Sequence, residues 1–552
     1  MIDRLKYILC LSILLGGTVC QAQDQYAYRV NITDKNATMF SLGNPQAYLG
    51  SRALERRNKF NIAIDSTDLP LVADYVDKIL ATTGGIVHCK SKWLNSVVIL
   101  VTDTTKVPFL DSLGFVGSYK KIAEYSGWLH GANTQGSTPV NYSNLYNNIP
   151  AAGYVQSLYG NAWNQIHLCQ GEYLHQQGYT GKGTLIAVID VGFANLGNIA
   201  VFDSLVAQGR IADTWNFITD TSDVTSSGNH GIYVLSSVAG VQPDSYMGTA
   251  PDALYALYAT DHESTEQIIE EDNLVAALER ADSIGTDVVS SSLGYNTFDN
   301  SADSHIFSEL DGKTTVAARG ANMAATKGMV LVIAAGNEGQ NSWQKILTPG
   351  DADSALTIGA VDADGQSAGF SGMGPNAAGL QKPDVCAMGV SASVWNPSGQ
   401  QTTTSGTSIS APIIAGLTAC VMQAFPTMPP FDIKTLLRTY ADSFATPSYK
   451  RGYGVPNFKE ALQNSLSVAG GNQAELGVTI FPNPANSLLH IAGKNNLPNL
   501  HYMLFSMQGR TVATGKLAGN HEIDLAHIAN GLYLLVLQSD RGRAYFKVAI
   551  NH

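Results

Sequence analysis

The sequence is short of charge and of cysteine, and beyond its N-terminus it has no long apolar run. Only 14% of its 552 residues are charged, and 45 acids against 33 bases leave a formal charge of −12. A deficit of Lys and Arg argues against nucleic acid and anionic lipid as partners, since both are bound mainly through those side chains. The simplest role of the acidity is solubility. Six cysteines without Cys-x-x-Cys spacing form neither a disulfide framework nor a thiolate zinc site. Cys10 and Cys20 fall in the N-terminal segment. Cys89, Cys169, Cys386 and Cys420 are scattered and read as small buried hydrophobes, with no pairing implied by their spacing. No later run of about 18 apolar residues occurs, so no transmembrane helix is predicted. Internal repeats and low-complexity segments are also missing.

What is present begins with "MIDRLKYILCLSILLGGTVCQAQ". Arg4 and Lys6 precede an apolar core from Tyr7 to Val19 and a small-residue end, which predicts a secretory signal peptide over 1–22, cut after Ala22. Lipidation at Cys20 is the weaker alternative, because Gly17-Thr18-Val19 fits poorly before it. Residues 23–125 alternate helix-like and strand-like pieces, such as "LPLVADYVDKILATTG" and "SVVILVTD". The Asn, Gly, Ser and Pro-rich stretch 126–153 reads as a linker. From 154 to 465 near-continuous apolar strands ("TLIAVID", "ALYALYA", "DVVSSSLG", "MVLVIAAG", "ALTIGAV") alternate with helices ("NLVAALERADSIG", "APIIAGLTACVMQAF"). That pattern predicts an α/β fold of three layers, with a mostly parallel sheet covered on both faces. Its ligands are expected at the carboxyl ends of the strands. A small-residue linker (466–474) leads to short alternating strands over 475–552, expected to form a β-sandwich.

Four residues of the central region sit where chemistry is done. Asp190 ends the strand "TLIAVID", His230 opens a helix after a glycine-rich turn, and Asn337 ends "VLVIAAGN" between two glycines. Ser408 lies in "TTTSGTSISAPIIAG", where Pro412 is expected in the first turn of a helix, a position that tolerates proline. Each of these alone has an ordinary structural explanation as a cap, a turn or a core polar group. A serine at a helix N-terminus does, however, sit in a field that favours developing negative charge.

Taken together, Asp190, His230, Asn337 and Ser408 appear in the order of the subtilisin-like serine peptidases, the subtilases, which this region resembles from about 157 to 458. "MGTAPDALYAL", "VVSSSLGY", "LVIAAGNEG", "FSGMGP", "KPDVCAMG", "GTSISAP" and "GYGVPNF" fall in family order. The resemblance implies that Ser408 is the nucleophile, His230 its general base and Asp190 the residue that orients His230, with Asn337 in the oxyanion hole. It also implies that Ser292, Leu293 and Gly294 pair with substrate backbone and that Ala335 and Gly336 form the facing wall. Leu347 is expected near the pocket floor, which predicts a shallow pocket for small or medium apolar side chains. One departure stands out: the family's usual His-Gly-Thr-His is His230-Gly231-Ile232-Tyr233 here.

The flanks carry resemblances of their own. Residues 23–125 look like a subtilase propeptide, an inhibitor and folding aid of its own enzyme, although a permanent accessory domain is an alternative. "FPNPANSLLHI", "MQGR" and "NGLYLL" resemble the type A sorting domain of type IX secretion, ahead of a carbohydrate-binding sandwich as alternative. The expectation is a secreted, self-processed serine endopeptidase acting on proteins or peptides, extracellular or attached to the cell surface, and monomeric. Its rival is a surface adhesin on a non-cleaving scaffold. No cofactor is required. A structural calcium is compatible with the family, but no dense oxygen-ligand loop locates one.

Overall fold

The computed structural model describes residues 24–125, 156–226, 228–468, 478–493, 500–506, 510–517, 521–539 and 542–552. The expected signal peptide and the 126–153 linker lie outside the described residues.

The N-terminal unit runs β1 (Gln25–Ile32), α1 (Ser51–Phe60), α2 (Ala73–Thr83), β2 (Ile86–Ser91), β3 (Ser96–Val101) and β4 (Val116–Tyr125). Its four strands form an antiparallel sheet in the order β2-β3-β1-β4. β3, all apolar after its serine, is buried throughout because both faces of the sheet are covered. Val30, Val97, Ile99 and Val101 pack on Val76 and Ile79 of α2. Ala27, Val98 and Leu100 point the other way and join a hydrophobic cluster of the next unit.

The central unit opens with three short helices, α3 (Gln156–Tyr159), α4 (Trp163–His167) and α5 (Glu172–Gln176), and then reaches β5 (Leu185–Asp190). There follow α6 (Asp203–Ala207), β6 (Ile211–Asn216), α7 (His230–Ala239), the small pair β7 (Val241–Gln242) and β8 (Tyr246–Met247), β9 (Leu254–Ala259) and α8 (Ile269–Ile284). Next come β10 (Val288–Ser291), α9 (Val316–Thr326), β11 (Val330–Ala334), β12 (Leu356–Val361) and β13 (Val385–Met388). The hairpin β14 (Ala392–Trp395) and β15 (Gln401–Thr404) leads into α10 (Thr407–Ala424), α11 (Pro430–Thr439) and α12 (Phe458–Val468). Seven strands form one sheet, β13-β12-β11-β10-β5-β9-β6, parallel throughout.

Side chains alternate across this sheet, so each strand feeds two cores. Ile186 and Val188 of β5 face the cluster built on α7 and α10, while Leu185, Ala187 and Ile189 face α8 and α9. The chain winds from β5 to one edge, returns through β9, and crosses to β10 to build the other half. The crevice between β5 and β10 is therefore the switch point at which such sheets bind ligands. Among the described residues one helix, α10, is long and apolar enough to cross a membrane, but 89% of it is buried in the core between the sheet and α7.

The C-terminal unit contains β16 (Val478–Phe481), β17 (Leu488–Gly493), β18 (His501–Ser506), β19 (Thr511–Lys516), β20 (Glu522–Asp524), β21 (Gly531–Ser539) and β22 (Gly542–Ile550). Sheets β16-β17-β20 and β19-β18-β21-β22 close over Leu489, Ile491, Leu504, Leu535, Leu537 and Val548 as a sandwich. The four described cysteines are buried and unpaired.

Candidate active site

β5 delivers Asp190, wholly buried, to the carboxyl edge of the sheet. The backbone N–H of Val191 donates to its Oδ1 at 2.9 Å. His230, at the start of α7, is brought over it by close backbone contact. A Cβ at Gly228 would lie 2.2 Å from the Val191 carbonyl, and one at Gly231 2.2 Å from the Gly192 carbonyl, so both positions require glycine. The ring Nδ1 of His230 then sits 2.8 and 3.1 Å from the Asp190 oxygens. Its Nε2 lies 3.0 Å from Ser408 Oγ. Burial pushes the imidazole pKa down, but the Asp190 carboxylate opposes it, aided by Glu263, and the net shift is upward.

Ser408 is the second residue of α10, and the helix begins at Thr407, a turn earlier than the sequence suggests. Pro412 therefore stands within the helix, not in its first turn. The consequence is local: without an N–H at Pro412 the Ser408 carbonyl has no i+4 donor, and the Ser292 hydroxyl donates to it instead at 2.8 Å. Ser292 thus turns its side chain to the serine helix. The chain has already left the β-ladder there, because β10 ends at Ser291 and Ser292-Leu293-Gly294 continue beyond its neighbours rather than as a paired strand.

Asn337 follows β11 with Ala335 and Gly336. Its Oδ1 accepts from the backbone N–H of Thr407 at 2.9 Å and from the Thr407 hydroxyl at 3.1 Å. With the oxygen so engaged, the amide nitrogen is turned toward the serine. A Cβ at Gly406 would lie 2.8 Å from Ser408 Oγ, 3.6 Å from Asn337 Nδ2 and 3.7 Å from Ser408 N. Those three atoms border one small space, kept clear by Gly406. The Thr407 hydroxyl also accepts from Gly336 N at 3.1 Å, which ties the asparagine loop to the serine turn. That clamping role of Thr407, like the field of Glu263 on His230, was not evident in the sequence, where both are ordinary polar residues.

Leu347 is 7% exposed, and its side chain fills the gap between Gly294 and Gly336. A Cβ at Gly294 would lie 2.8 Å from its Cβ, and one at Gly336 2.5 Å from its Cγ. Its N–H donates to the Ala335 carbonyl at 3.1 Å. A cleft of about 520 Å³ opens beside the histidine, lined by Val191, Asn229, His262 and Glu263 among others. Among the described residues no group of three or more His, Cys, Asp or Glu is arranged to hold a metal ion.

Comparison with known proteins matches three consecutive segments to family models. Residues 27–139 match the Bacteroidota peptidase S8 propeptide domain, 181–455 the subtilase family, and 479–551 a secretion system C-terminal sorting domain. Subtilisin DY of Bacillus licheniformis is 28% identical over 301 residues, 54% of this chain and 97% of that protein. Subtilisin NAT of Bacillus subtilis subsp. natto is 29% identical over 315 residues, 56% of this chain and 72% of that one. Among solved structures, the MycP3 protease of a type VII (ESX-3) secretion system aligns at 22% identity and TM-score 0.45, over 56% of this chain and 90% of that chain. Residues 181–455 are a subtilase-family domain: the chain is a serine-type endopeptidase carrying an S8 propeptide in front and a type IX sorting domain behind.

Proposed function

We propose that the enzyme cleaves internal peptide bonds of proteins through Ser408, His230 and Asp190. The hydrogen-bonded line from Asp190 through His230 to Ser408, at 2.8 and 3.0 Å, carries this reading. With Nδ1–H donating to Asp190, Nε2 is free to take the Ser408 proton as Oγ attacks the carbonyl carbon. The tetrahedral oxyanion falls in the space bordered by Asn337 Nδ2 and Ser408 N, whose N–H groups donate to it. Removing such a side-chain donor costs about 3 kcal/mol, a magnitude known from subtilisin rather than deduced from this chain. Protonated His230 then hands its proton to the leaving amine, the acyl-enzyme forms on Ser408, and water returns by the same route. None of these steps needs a cofactor.

Ser292-Leu293-Gly294 and Ala335-Gly336 are the proposed walls for the substrate backbone. Leu347, wedged between their glycines, makes the specificity pocket shallow, suited to small or medium apolar side chains. A cleavage profile dominated by bulky aromatics, or by Arg and Lys, would remove this pocket assignment. The N-terminal unit is proposed as the enzyme's own inhibitor, cut off by self-processing, and the sandwich as the signal that carries it across the outer membrane to the cell surface or medium.

The test compares wild type with Ser408→Ala. The wild type should lose residues up to the 126–153 region and hydrolyse casein, while the variant should keep them and leave casein intact. Equal processing and equal casein hydrolysis would reject Ser408 as the nucleophile and favour a non-cleaving surface scaffold.

A further inference from the structure

Arg56 and Arg57 of α1 are buried, 2% and 1% exposed, and both reach into the central unit. Arg56 Nε donates to the Lys327 carbonyl at 3.0 Å, Nη1 to the Thr286 carbonyl, and Nη2 to the Asp282 carbonyl at 3.1 Å and to the Asp282 carboxylate. Arg57 Nη1 donates to the same Lys327 carbonyl, and its Nη2 lies 3.0 Å from an Asp282 oxygen. These acceptors have a common origin. Asp282 is in the last turn of α8, Thr286 follows the capping Gly285, and Lys327 caps α9. The last carbonyls of a helix have no partner within it and carry the negative end of its dipole. Two adjacent guanidinium groups therefore plug the carboxyl ends of two neighbouring helices.

The receptor is shaped as well as charged. Gly285 (φ +89°) has no room for a side chain, since a Cβ there would lie 2.7 Å from the Ala53 nitrogen. At Gly328 (φ +93°) a Cβ would lie 2.7 Å from Ile62 Cδ1. Gly50 N–H donates to the Ser283 carbonyl at 2.8 Å, setting α1 against the end of α8.

We propose that this receptor outlasts the N-terminal unit and serves the processed enzyme as an exosite for a pair of adjacent arginines in a protein ligand. The inference rests on the reading of residues 24–125 as a removable propeptide. Asp282, Thr286 and Lys327 belong to the peptidase and stay, whereas Arg56, Arg57 and Lys92, the cations around Asp282, leave together with Asp68, the other carboxylate on Arg57. Lys327, the peptidase's own cation here, has its ammonium on Asp65 and Asp68 of the departing unit, at 3.2 and 3.0 Å. Departure strips the Asp282 carboxylate and the Thr286 and Lys327 carbonyls of these donors and leaves the Asp282 carbonyl with the Gly285 N–H alone. A guanidinium, with five N–H groups in a planar fork, can reach all four acceptor atoms that Arg56 engages, whereas an ammonium offers three donors from a single point.

The test titrates processed wild-type enzyme, free of the N-terminal unit, with Arg-Arg amide and Lys-Lys amide by calorimetry, following hydrolysis of a small chromogenic peptide in parallel. Arg-Arg amide should bind at least about tenfold more tightly than Lys-Lys amide. Asp282→Asn should abolish that preference, and hydrolysis should be unchanged. Equal affinities, no binding, or competitive inhibition placing the dipeptide at Ser408 would overturn the exosite. Should Asp282→Asn fail to fold, the Arg-to-Lys ratio on wild type decides. An enzyme that is processed and active but does not discriminate loses only the exosite; a chain that never sheds residues 24–125 loses both readings.

Discussion

The N-terminal unit meets the peptidase through an apolar sheet face ringed by ion pairs: Arg29 pairs with Asp272, Arg52 with Asp287, Arg56 and Arg57 with Asp282, and Lys120 with Asp303. Glu279 adds bonds from Ser91 Oγ and the N–H groups of Lys92 and Trp93, at 2.6, 2.9 and 3.0 Å. The C-terminal sandwich meets the same peptidase through Met503, Phe505 and Val536, which join its main hydrophobic cluster, with the Tyr453 hydroxyl 3.2 Å from Thr511. An ionic seat is geometrically exacting and answers to salt and to loss of a single partner, while an apolar seat answers to lost volume. The N-terminal unit, proposed to be removed, combines both kinds, since Ala27, Trp93, Val98, Leu100 and Ile122 also pack into a hydrophobic cluster of the peptidase, while the sandwich relies on the apolar kind.

Variants at the two seats test that contrast. The largest effect is expected for Asp282→Ala, which leaves the buried Arg56 guanidinium without a carboxylate and Arg57 with Asp68 alone. It should weaken retention of the cut N-terminal unit by about 3–5 kcal/mol, roughly a hundredfold or more, as read by co-elution after processing. Retention equal to wild type would show that the apolar contacts of β1 and β3 carry this interface instead. Phe505→Ala should cost about 3 kcal/mol of sandwich docking, seen as faster hydrogen exchange along β18. A loss that disappears at high salt would contradict an apolar seat.

Raising sodium chloride from about 0.1 M to about 1 M should loosen the N-terminal unit several-fold, chiefly through the partly exposed pairs Arg52–Asp287 and Lys120–Asp303, and leave the sandwich in place. Equal responses would erase the distinction. The smallest effect is that of pH. Burial raises the carboxyl pKa of Asp272 and Glu279 while Arg29 and Lys92 oppose it. An acid whose pKa is raised on docking favours the docked state as pH falls and loses that contribution as pH rises through the raised value. Going from about pH 7.5 to about pH 5 should therefore tighten retention slightly. Release on such acidification would mean that other carboxylates dominate.

The sequence analysis located five of the seven sheet strands, β5, β9, β10, β11 and β12, because each is a short buried stretch begun by apolar residues, a local signal that the half-buried β6 ("IADTWN") lacks. Asp190, His230, Asn337 and Ser408 stood out as candidates because each lies at a strand end or helix start within two positions of a glycine, in family order. What stayed hidden depends on neighbours distant in the chain. Arg29 and Asp272 are 243 positions apart, and nothing in "YRVN" or "EEDN" announces the pair. The early start of α10 was misjudged because Pro412 suggests a first turn. Its actual role, releasing the Ser408 carbonyl to Ser292, needs a hydroxyl 116 positions away. The apolar outer face of β18 reads in sequence as one side of an ordinary sandwich strand, and only packing shows that the peptidase covers it.

His230 links the site to solution conditions. In its proposed role as base the imidazole must shed its proton before it can take one from Ser408, and its pKa is raised. The acid limb of kcat/KM should therefore have its midpoint above the ordinary histidine value of about 6.5. A midpoint below that value would show that burial outweighs Asp190.

The central claim is that one hydroxyl among the seven in "TTTSGTSISAPIIAG" is the nucleophile. Labelling processed enzyme with a fluorophosphonate and mapping the adduct by peptide mass spectrometry tests it directly. The account predicts a single adduct, on Ser408. An adduct on Ser405 or Ser410, or none on an enzyme that still cleaves casein, would contradict it.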